Sequence, residues 1–468
     1  MKKKKTLRQI FIGDRAFYAM VLAVAVPIMI ENGITNFVNM LDNIMIGRVG
    51  TAQMSGVSIV NQLIFVFNLC LFGALSGPGI FTSQFYGSKD TEGVRNAFRF
   101  KLWLAAIICI GAILILTSFG TPLIESYLNG DSTELDATLL AAQAYLKVIL
   151  IGLPPFALAR VYAGTLRECG QTMLPMKAGV AAVLVNLVFN YLLIYGKFGF
   201  PELGVVGAAI ATVLSRYVEV AIILIWTHTH TTQNAFARGL YRTLHVPGIL
   251  MKQIAVKGAP LLANEALWST SMAVLMQCYS IRGLNVVAAM NIANVIANVL
   301  NVVFFAMGDA VAIIVGQRLG AGDMEKARDY DNKLIAFAVF LGTLVTIAMM
   351  IISPFFPLIY NTTTEIRALA SEIIRITGAF VPLFAFLHAT YFTLRAGGRT
   401  VITFCFDCVF AWVVSVSIAY LLTHYTDMPI TGIYTIVRAS ELLKCVIGAV
   451  LVYKGVWLRR FIDTDEIG

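Results

Sequence analysis

One face of the first long apolar segment carries most of that segment's polar side chains. At about 100° per residue along an α-helix, they fall within an arc of about 140°, and the opposite face is apolar. These side chains are Glu31, Asn32, Thr35, Asn36, Asn39, Asp42 and Asn43. A charge at membrane depth costs about 2.5–3.5 kcal/mol on insertion scales, so it is retained where it faces a cavity or a partner. The stripe predicts one wet face along a buried helix, with these side chains as candidates for the lining of a cavity.

A second acid, Glu265, lies in the seventh apolar segment shortly after Pro260. This proline removes a backbone donor and is expected to bend the helix beside the acid, as Pro27 would beside Glu31. The side chains on the face of Glu265 include Trp268, Met272, Met276 and Tyr279. Methionine and aromatic side chains beside an acid suit large, flat, cationic guests. The alternative is that these side chains only pack between helices.

Asparagines share single faces of three further segments. They are Asn61 and Asn68 in the second segment, Asn186 and Asn190 in the fifth, and Asn291, Asn294, Asn298 and Asn301 in the eighth. An asparagine taken alone is best interpreted as a bond between packed membrane helices. Their alignment predicts a water-filled cavity walled by the asparagines of the second and eighth segments.

The composition requires a membrane protein. Hydrophobic residues make up 58% of the 468 residues and charged residues 13%, against about 25% charged in a soluble domain. Apolar stretches of about 20 residues or more predict helices, not a barrel. Twelve are predicted, at about 15–47, 54–86, 95–118, 138–167, 172–195, 204–227, 253–281, 286–318, 331–356, 364–395, 399–423 and 431–454. The predicted fold class is an all-α membrane protein.

The two halves of the chain repeat each other. At a constant offset Pro27, Asn61, Gln84 and Gly87 match Pro260, Asn294, Gln317 and Gly320, and a second match joins Thr165-Leu-Arg167 to Thr393-Leu-Arg395. Six helices per half give both halves the same orientation, related by an axis along the membrane normal. The predicted architecture is therefore two pseudo-symmetric six-helix lobes, 1–227 and 253–468, joined by an interfacial linker at 228–252. A site between the lobes is the usual arrangement in secondary transporters.

Lysine and arginine concentrate in alternate loops, which predicts a multi-pass protein of the cytoplasmic membrane with both termini in the cytoplasm. The net charge of +9 is thus an orientation signal and does not indicate a nucleic-acid partner. No cleavable signal peptide is evident, because the apolar stretch after Lys2–Lys5 is a full span. Seven cysteines in or beside helices make a disulfide framework improbable. A monomer without a metal or an organic cofactor is predicted.

Two features carry predictions of a structural role, and one residue stays a functional candidate. After the second and eighth segments, a loop of the form Gln-x-x-Gly-x-x-Asp-x-Glu-x-x-Arg recurs, as a turn followed by a helix start. Arg216 and Glu219 are three residues apart, and Glu441 and Lys444 repeat the pair with exchanged signs, so both are interpreted as local ion pairs. Asp407 has no partner within one turn of its own helix and is a weaker functional candidate.

The chain resembles the multidrug and toxic compound extrusion (MATE) family. The resemblance rests on the repeat, on Asp42-Asn-Ile-Met-Ile-Gly-Arg48, on Asn186-x-x-x-Asn190-Tyr191, and on the recurring loop. It implies efflux of organic cations or related compounds, driven by inward H⁺ or Na⁺, through a V between two lobes. It also implies that Asp42 couples transport to the cation with Asn186 and Asn190 as companions.

The same resemblance relates Glu265 to the acid of a second cation site on helix seven. Sodium-coupled members add an aspartate on helix ten, where this chain reads Phe384-Ala-Phe-Leu-His388. Asp407 on helix eleven is the candidate substitute. One branch of the family also has an aspartate at the position of Asn190, so that branch's proton mechanism is in doubt here.

Three other functions are alternatives to export, and each would be expected to show its own sequence features. A lipid-linked precursor flippase of the same superfamily would be expected to line its cavity with several basic residues. An intramembrane enzyme is disfavoured because the sequence has no HExxH, no GxSxG and no paired catalytic set at membrane depth. A major-facilitator transporter would carry a basic loop motif after helix two, which is absent. The sequence therefore predicts a cation-coupled antiporter, not an enzyme, that exports small organic cations by alternating access.

Overall fold

Helices form the regular structure in the computed structural model, which describes residues 6–128 and 132–462. A short helix, Leu7–Phe11, precedes twelve long ones. The long helices are α1 (Arg15–Gly47), α2 (Thr51–Gly87), α3 (Thr91–Glu125), α4 (Ser132–Glu168), α5 (Met173–Tyr195), α6 (Gly204–Thr229), α7 (Gly248–Ser280), α8 (Leu284–Gly320), α9 (Met324–Ile352), α10 (Thr364–Ala396), α11 (Thr400–Tyr425) and α12 (Ile430–Lys454).

Ten of these helices are long and apolar enough to cross a membrane, judged by length and composition over the described residues. The other two, α7 and α12, have 33 and 25 residues and are more polar. Helix α12 carries Arg438, Glu441 and Lys444 along its middle. A span needs about 20 residues, so all twelve are long enough. The prediction of an all-α membrane protein is confirmed.

The helices extend beyond the apolar segments that predicted them. Helix α3 begins at Thr91, four residues before the predicted start, because the Asp90 side chain accepts a hydrogen bond from the backbone N–H of Gly93 at 2.9 Å. Asp323 caps α9 in the same way, accepting from the N–H of Lys326 at 3.2 Å. Such N-caps let a helix begin outside the apolar layer. The Lys326 side chain also lowers the pKa of the half-buried Asp323 through its hydrogen bond to the carboxylate.

Helix α11 departs from regular α-helical geometry in its middle. It begins as an α-helix at Thr400, passes through two π-helical turns at Cys405–Val409 and Ala411–Val416, and ends as an α-helix at Ser417–Tyr425. A π-turn inserts an extra residue and turns the side chains that follow toward a different face. Asp407 lies within the first π-turn.

Helices α2 and α8 cross at their C-terminal ends through small residues. A Cβ atom on Gly87 would lie 2.0 Å from the carbonyl oxygen of Gln317, and a Cβ on Gly320 would lie 1.9 Å from the carbonyl oxygen of Gln84. Close backbone approach through small residues is the usual way that membrane helices associate. The Gln84 side chain is fully buried and accepts from the N–H of Phe461 at 3.2 Å. The recurring loop motif thus has the structural role that the sequence predicted.

By its contacts the chain divides into two compact units. The C-terminal unit contains the chain up to Met29, Ser83–Lys89, and the chain from Gln253 onward, and its buried core includes Leu319 and Trp457. The N-terminal unit contains Ile30–Thr82 and Asp90–Lys252. The lobes at 1–227 and 253–468 stay a prediction.

The predicted linker at 228–252 packs along α3. Arg95, Arg99 and Trp103 lie at intervals of one helical turn, and each donates a side-chain hydrogen bond to a backbone carbonyl of the linker. The three acceptors are Phe236, Leu240 and Leu244, at 3.2, 3.1 and 3.1 Å respectively. The equal spacing of donors and acceptors holds the linker in register with the helix.

Candidate functional site

Asp42 is held against helix α5 by a short hydrogen bond. The Nδ2 atom of Asn190 donates to Oδ1 of Asp42 at 2.6 Å and to Oδ1 of Asn186 at 3.1 Å. The two asparagines are one helical turn apart, so their amides lie side by side and both face the acid. Asn186 and Asn190 are buried. The structure therefore brings together the three coupling residues predicted for the N-terminal half.

The amide of Asn186 can serve this acid in two ways. With its oxygen toward Asp42, it accepts from Asn190; with the amide turned over, its nitrogen lies 3.1 and 3.2 Å from the two carboxylate oxygens of Asp42. An ionised carboxylate is an acceptor only, so an amide oxygen facing it needs a proton or a cation between the two. Turning over the amide removes that need. With its amide nitrogen toward Asp42, Asn186 therefore adds a second neutral donor to this acid.

A small cavity of about 60 Å³ lies beside Asp42 within the N-terminal unit. The charged side chains in its wall are Glu31, Asp42, Arg160, Arg216 and Glu219. Arg216 pairs with Glu219 at 3.0 Å, which confirms the local ion pair predicted there. Glu31 forms an ion pair with Arg167, a residue that the sequence placed in a cytoplasmic segment. Three carboxylates and two guanidinium groups thus line this space.

Arg160 lines the small cavity but was not among the site residues predicted from the sequence. Its guanidinium lies 4.8 Å from the centre of the Phe156 ring, and that of Arg216 lies 4.9 Å from the same ring. An arginine within a membrane helix is by default a candidate functional residue. The position of Arg160 within an apolar segment could therefore have identified it from the sequence. Phe156 therefore presents its ring to two cations.

A larger cavity of about 370 Å³ shares Asp42, Thr212 and Arg216 with the small one. Besides these shared residues, its wall contains polar and aromatic side chains of α2, α4 and α5. They are Asn61, Asn68, Asn190, Phe65, Tyr145 and Phe156. Its volume lies in the range of small-molecule pockets, about 300–1,000 Å³. Asn68 lines this cavity, in the cavity-lining role that the sequence predicts for it.

Glu265 belongs to a separate hydrogen-bond chain in the C-terminal unit. The Oη of Tyr391 donates to Oε1 of Glu265 at 3.3 Å. The Nδ2 of Asn264 donates to Oη of Tyr391 at 3.3 Å and to Oδ2 of Asp407 at 3.1 Å. Helices α7, α10 and α11 therefore bring Glu265 and Asp407 into one network. Tyr391 was not predicted, since no spacing rule links it to the acid on another helix.

Asp407 has its partner on helix α12. The Nζ of Lys444 lies 2.7 Å from Oδ1 of Asp407 and 3.9 Å from Oε2 of Glu441. The predicted Glu441–Lys444 pair therefore exists, but it is the looser of the two contacts. An ion pair between different helices cannot be derived from spacing within one helix.

The predicted cargo residues on α7 have different environments. Trp268 and Met272 are 40% and 37% exposed. Tyr279 is buried, with its ring centre 5.7 Å from that of Tyr434, and Met276 packs against the same core. Part of the predicted aromatic and methionine face is therefore packing between helices, which was the stated alternative.

The other predicted cavity residues on α1 and α8 whose side chains the structure describes do not line either cavity. On α8, Asn294 and Asn298 are exposed and Asn301 is half-buried. On α1, Asn32 is half-buried and Asn36 is exposed. The side chain of Asn39 lies outside the part of the chain that the structure describes. Asn294 and Asn298 thus form an accessible polar patch on α8.

The sequence model of the MatE family matches the chain twice, over residues 27–192 and 260–421. Similar proteins include the probable multidrug resistance protein NorM of Thermotoga maritima, 26% identical over 450 residues that cover 95% of this chain and 94% of that protein. The probable multidrug resistance protein YoeA of Bacillus subtilis is 25% identical over 418 residues, 87% of this chain and 88% of YoeA.

Solved structures share the fold. An outward-facing multidrug resistance MATE family transporter of the MOP superfamily matches with a TM-score of 0.83 at 21% identity, over 97% of this chain and 98% of that one. A MOP superfamily transporter from Pyrococcus furiosus, described as having a binding pocket of reverse polarity, matches with a TM-score of 0.82 at 21% identity, over 97% and 99%. The second sequence match begins at Pro260, the counterpart of Pro27, so the family pattern recurs in each half. The chain therefore belongs to the MatE family of multidrug and toxic compound extrusion proteins, which are transporters and not enzymes.

Proposed function

We propose that this protein is an H⁺- or Na⁺-coupled antiporter that exports small organic cations and related toxic compounds across the cytoplasmic membrane by alternating access. The observation that carries the proposal is Asp42, which lines a 370 Å³ cavity and accepts a hydrogen bond from Asn190. A carboxylate that opens on a pocket and is hydrogen-bonded by a neutral amide can hold either a coupling ion or a cationic cargo. The protein acts as a monomer with both termini in the cytoplasm.

The free face of Asp42 and the aromatic rings of the larger cavity support a cationic cargo. In the small cavity Glu219 forms an ion pair with Arg216 and Glu31 forms one with Arg167, whereas Asp42 accepts its hydrogen bond from the neutral amide of Asn190. The rings of Phe65 and Tyr145 in the larger cavity add faces on which a flat cation can lie beside this acid. The names of NorM and YoeA as probable multidrug resistance proteins agree with this cargo class.

One observation favours the second candidate, a flippase for lipid-linked precursors. Arg160 and Arg216 line the small cavity, and guanidinium groups are suited to binding phosphate or pyrophosphate. However, Arg216 already pairs with Glu219 at 3.0 Å. A pyrophosphate would have to displace that carboxylate, so export of cations remains the better proposal.

Purified protein in liposomes tests the proposal. A potential of 100 mV is worth about 2.3 kcal/mol per charge moved, enough for a cargo gradient of about fifty-fold. We expect an imposed H⁺ or Na⁺ gradient to drive a fluorescent organic cation against its own gradient, and protein-free liposomes to show no such movement. A fluorescent lipid-linked pyrophosphate in parallel liposomes reports the second candidate. Failure of both ion gradients to move the cation would reject the antiporter.

The Glu265→Gln variant tests the acid of the C-terminal unit. Glutamine keeps the size of the side chain and can still accept the hydrogen bond from Tyr391, but it loses the charge. We expect binding of a cationic cargo to weaken by about tenfold or more, since 1.4 kcal/mol already gives tenfold, and its pH dependence to flatten. Equilibrium binding at several pH values measures both. The same substitution at the exposed Glu365 is the control, and an unchanged affinity and pH profile would make Glu265 a structural residue.

A further inference from the structure

Asp407 is presented to its neighbours by an irregular stretch of helix. It lies in the first π-turn of α11, which changes the direction of the side chains relative to a regular α-helix. π-turns are found frequently at functional sites. Its two carboxylate oxygens have different partners: Oδ2 accepts from Asn264 at 3.1 Å, and Oδ1 accepts from Lys444 at 2.7 Å.

The ammonium group of Lys444 occupies a position whose surrounding groups would suit a bound cation. Besides Asp407, it has the carboxylate of Glu441 at 3.9 Å and the ring centres of Phe406 and Phe410 at 5.2 and 5.9 Å. A carboxylate with aromatic faces is the environment that cations prefer in a desolvated site. The side chain of Lys444 is 9% exposed. The lysine is therefore an internal part of this site and not a surface group that happens to point inward.

The matching position in the other half is arranged differently. At the offset that aligns Arg167 with Arg395, Lys444 corresponds to Arg216. Arg216 pairs with Glu219 on its own helix at 3.0 Å, while the hydrogen bond that Asp42 accepts at 2.6 Å comes from the neutral amide of Asn190. Asp42 thus accepts a hydrogen bond from a neutral amide, whereas Asp407 pairs with the positively charged side chain of Lys444.

We propose that Lys444 is the resident counter-ion of Asp407 and keeps Na⁺ out of the C-terminal unit. A sodium ion on Asp407 would stand about 4 Å from the ammonium group, and two like charges at that distance lower the affinity by about a thousandfold. The network of Asn264, Tyr391 and Glu265 is then left to the proton or to the cargo. This inference rests on the proposed antiport and specifies the ion that one half of the protein cannot use.

Equilibrium binding of ²²Na⁺ to the purified full-length protein tests the inference without requiring transport. The background is Asp42→Asn, which removes the ion site proposed for the N-terminal unit. In this background we expect no saturable ²²Na⁺ binding with Lys444 present. Adding Lys444→Met, which keeps the length of the side chain but removes its charge, should create saturable binding. Adding Asp407→Asn as well should abolish that binding again.

Lys444→Arg in the same background is the matched control and should bind no ²²Na⁺, because it keeps the positive charge. Saturable binding that needs Asp407 while Lys444 is intact would overturn the inference, and this measurement does not depend on any Lys444 variant folding. A Lys444→Met variant that elutes as a single species but binds no ²²Na⁺ would overturn it too. If the variants bind as expected but the wild-type protein moves no cargo in liposomes, the inference stands and the proposed antiport is refuted.

Discussion

Liposomes that contain the Asp42→Asn variant are expected to show no gradient-driven export, with transport reduced to the level of protein-free liposomes. Asparagine has nearly the same shape as aspartate and can still accept the hydrogen bond from Asn190 through its amide oxygen, so the fold should persist. The loss is that of the negative charge that lines both cavities of the N-terminal unit. A carboxamide cannot take up a proton or balance a cation in this site.

Asp14→Asn is the matched control, since it makes the same change just before α1, at a residue that lines neither cavity. Asp14 accepts from the backbone N–H of Phe17 at 2.8 Å, and asparagine can replace it as a helix cap. Both variants should be purified in similar yield and elute as the wild type does. Near-normal transport by Asp42→Asn would refute the coupling role of this acid.

Replacing Gly320 by alanine is expected to have the largest effect on folding. The added Cβ would lie 1.9 Å from the carbonyl oxygen of Gln84, and a backbone atom cannot rotate away as a side chain can. Ordinary overpacking costs about 1–3 kcal/mol, and we expect this substitution to reach or exceed the upper value because two helices must separate. The melting temperature of the detergent-purified protein and its yield measure the effect.

Gly111→Ala provides the contrast, because a Cβ at that position in α3 meets nothing within 4 Å. It should be neutral or stabilising, since alanine is favoured over glycine inside a helix by about 1 kcal/mol. Gly87→Ala should behave like Gly320→Ala, because its Cβ would lie 2.0 Å from the carbonyl oxygen of Gln317. Equal melting temperatures for Gly111→Ala and Gly320→Ala would mean that the crossing can relax.

Much of the fold could be predicted because the membrane enforces simple rules. Twelve apolar segments of sufficient length gave twelve helices, and the predicted first segment, 15–47, agrees with α1 at both ends. The ends of α3 and α4 extend further than predicted, since hydrophobicity marks the apolar layer while capping marks the helix. Polar residues such as Asp90 start a helix outside that layer.

Contacts between helices were the part that the sequence could not supply. The grouping of Asp42 with Asn186 and Asn190 was available from the family resemblance, whereas Arg160 and Tyr391 reach their sites only through tertiary packing. The π-turns of α11 also limit prediction from the sequence, because they change the directions of the side chains that follow them. A prediction made at 100° per residue assumes a regular α-helix. Periodicity also placed Tyr279 on the face of Glu265, but it could not tell that another helix covers it.

The crossing of α2 and α8 has a reciprocal form with a bearing on the history of the chain. Gly87 meets the carbonyl of Gln317, and Gly320 meets the carbonyl of Gln84; each glycine is the repeat counterpart of the other, and so is each glutamine. In a symmetric dimer, residue i of one subunit contacts residue j of its partner while j contacts i, which defines an isologous interface. The crossing is what remains of such an interface if an ancestral six-helix subunit formed homodimers before its gene was duplicated and fused. After such a fusion the two copies could diverge at other positions. A substitution at this crossing in one copy, however, would disturb its contact with the other copy.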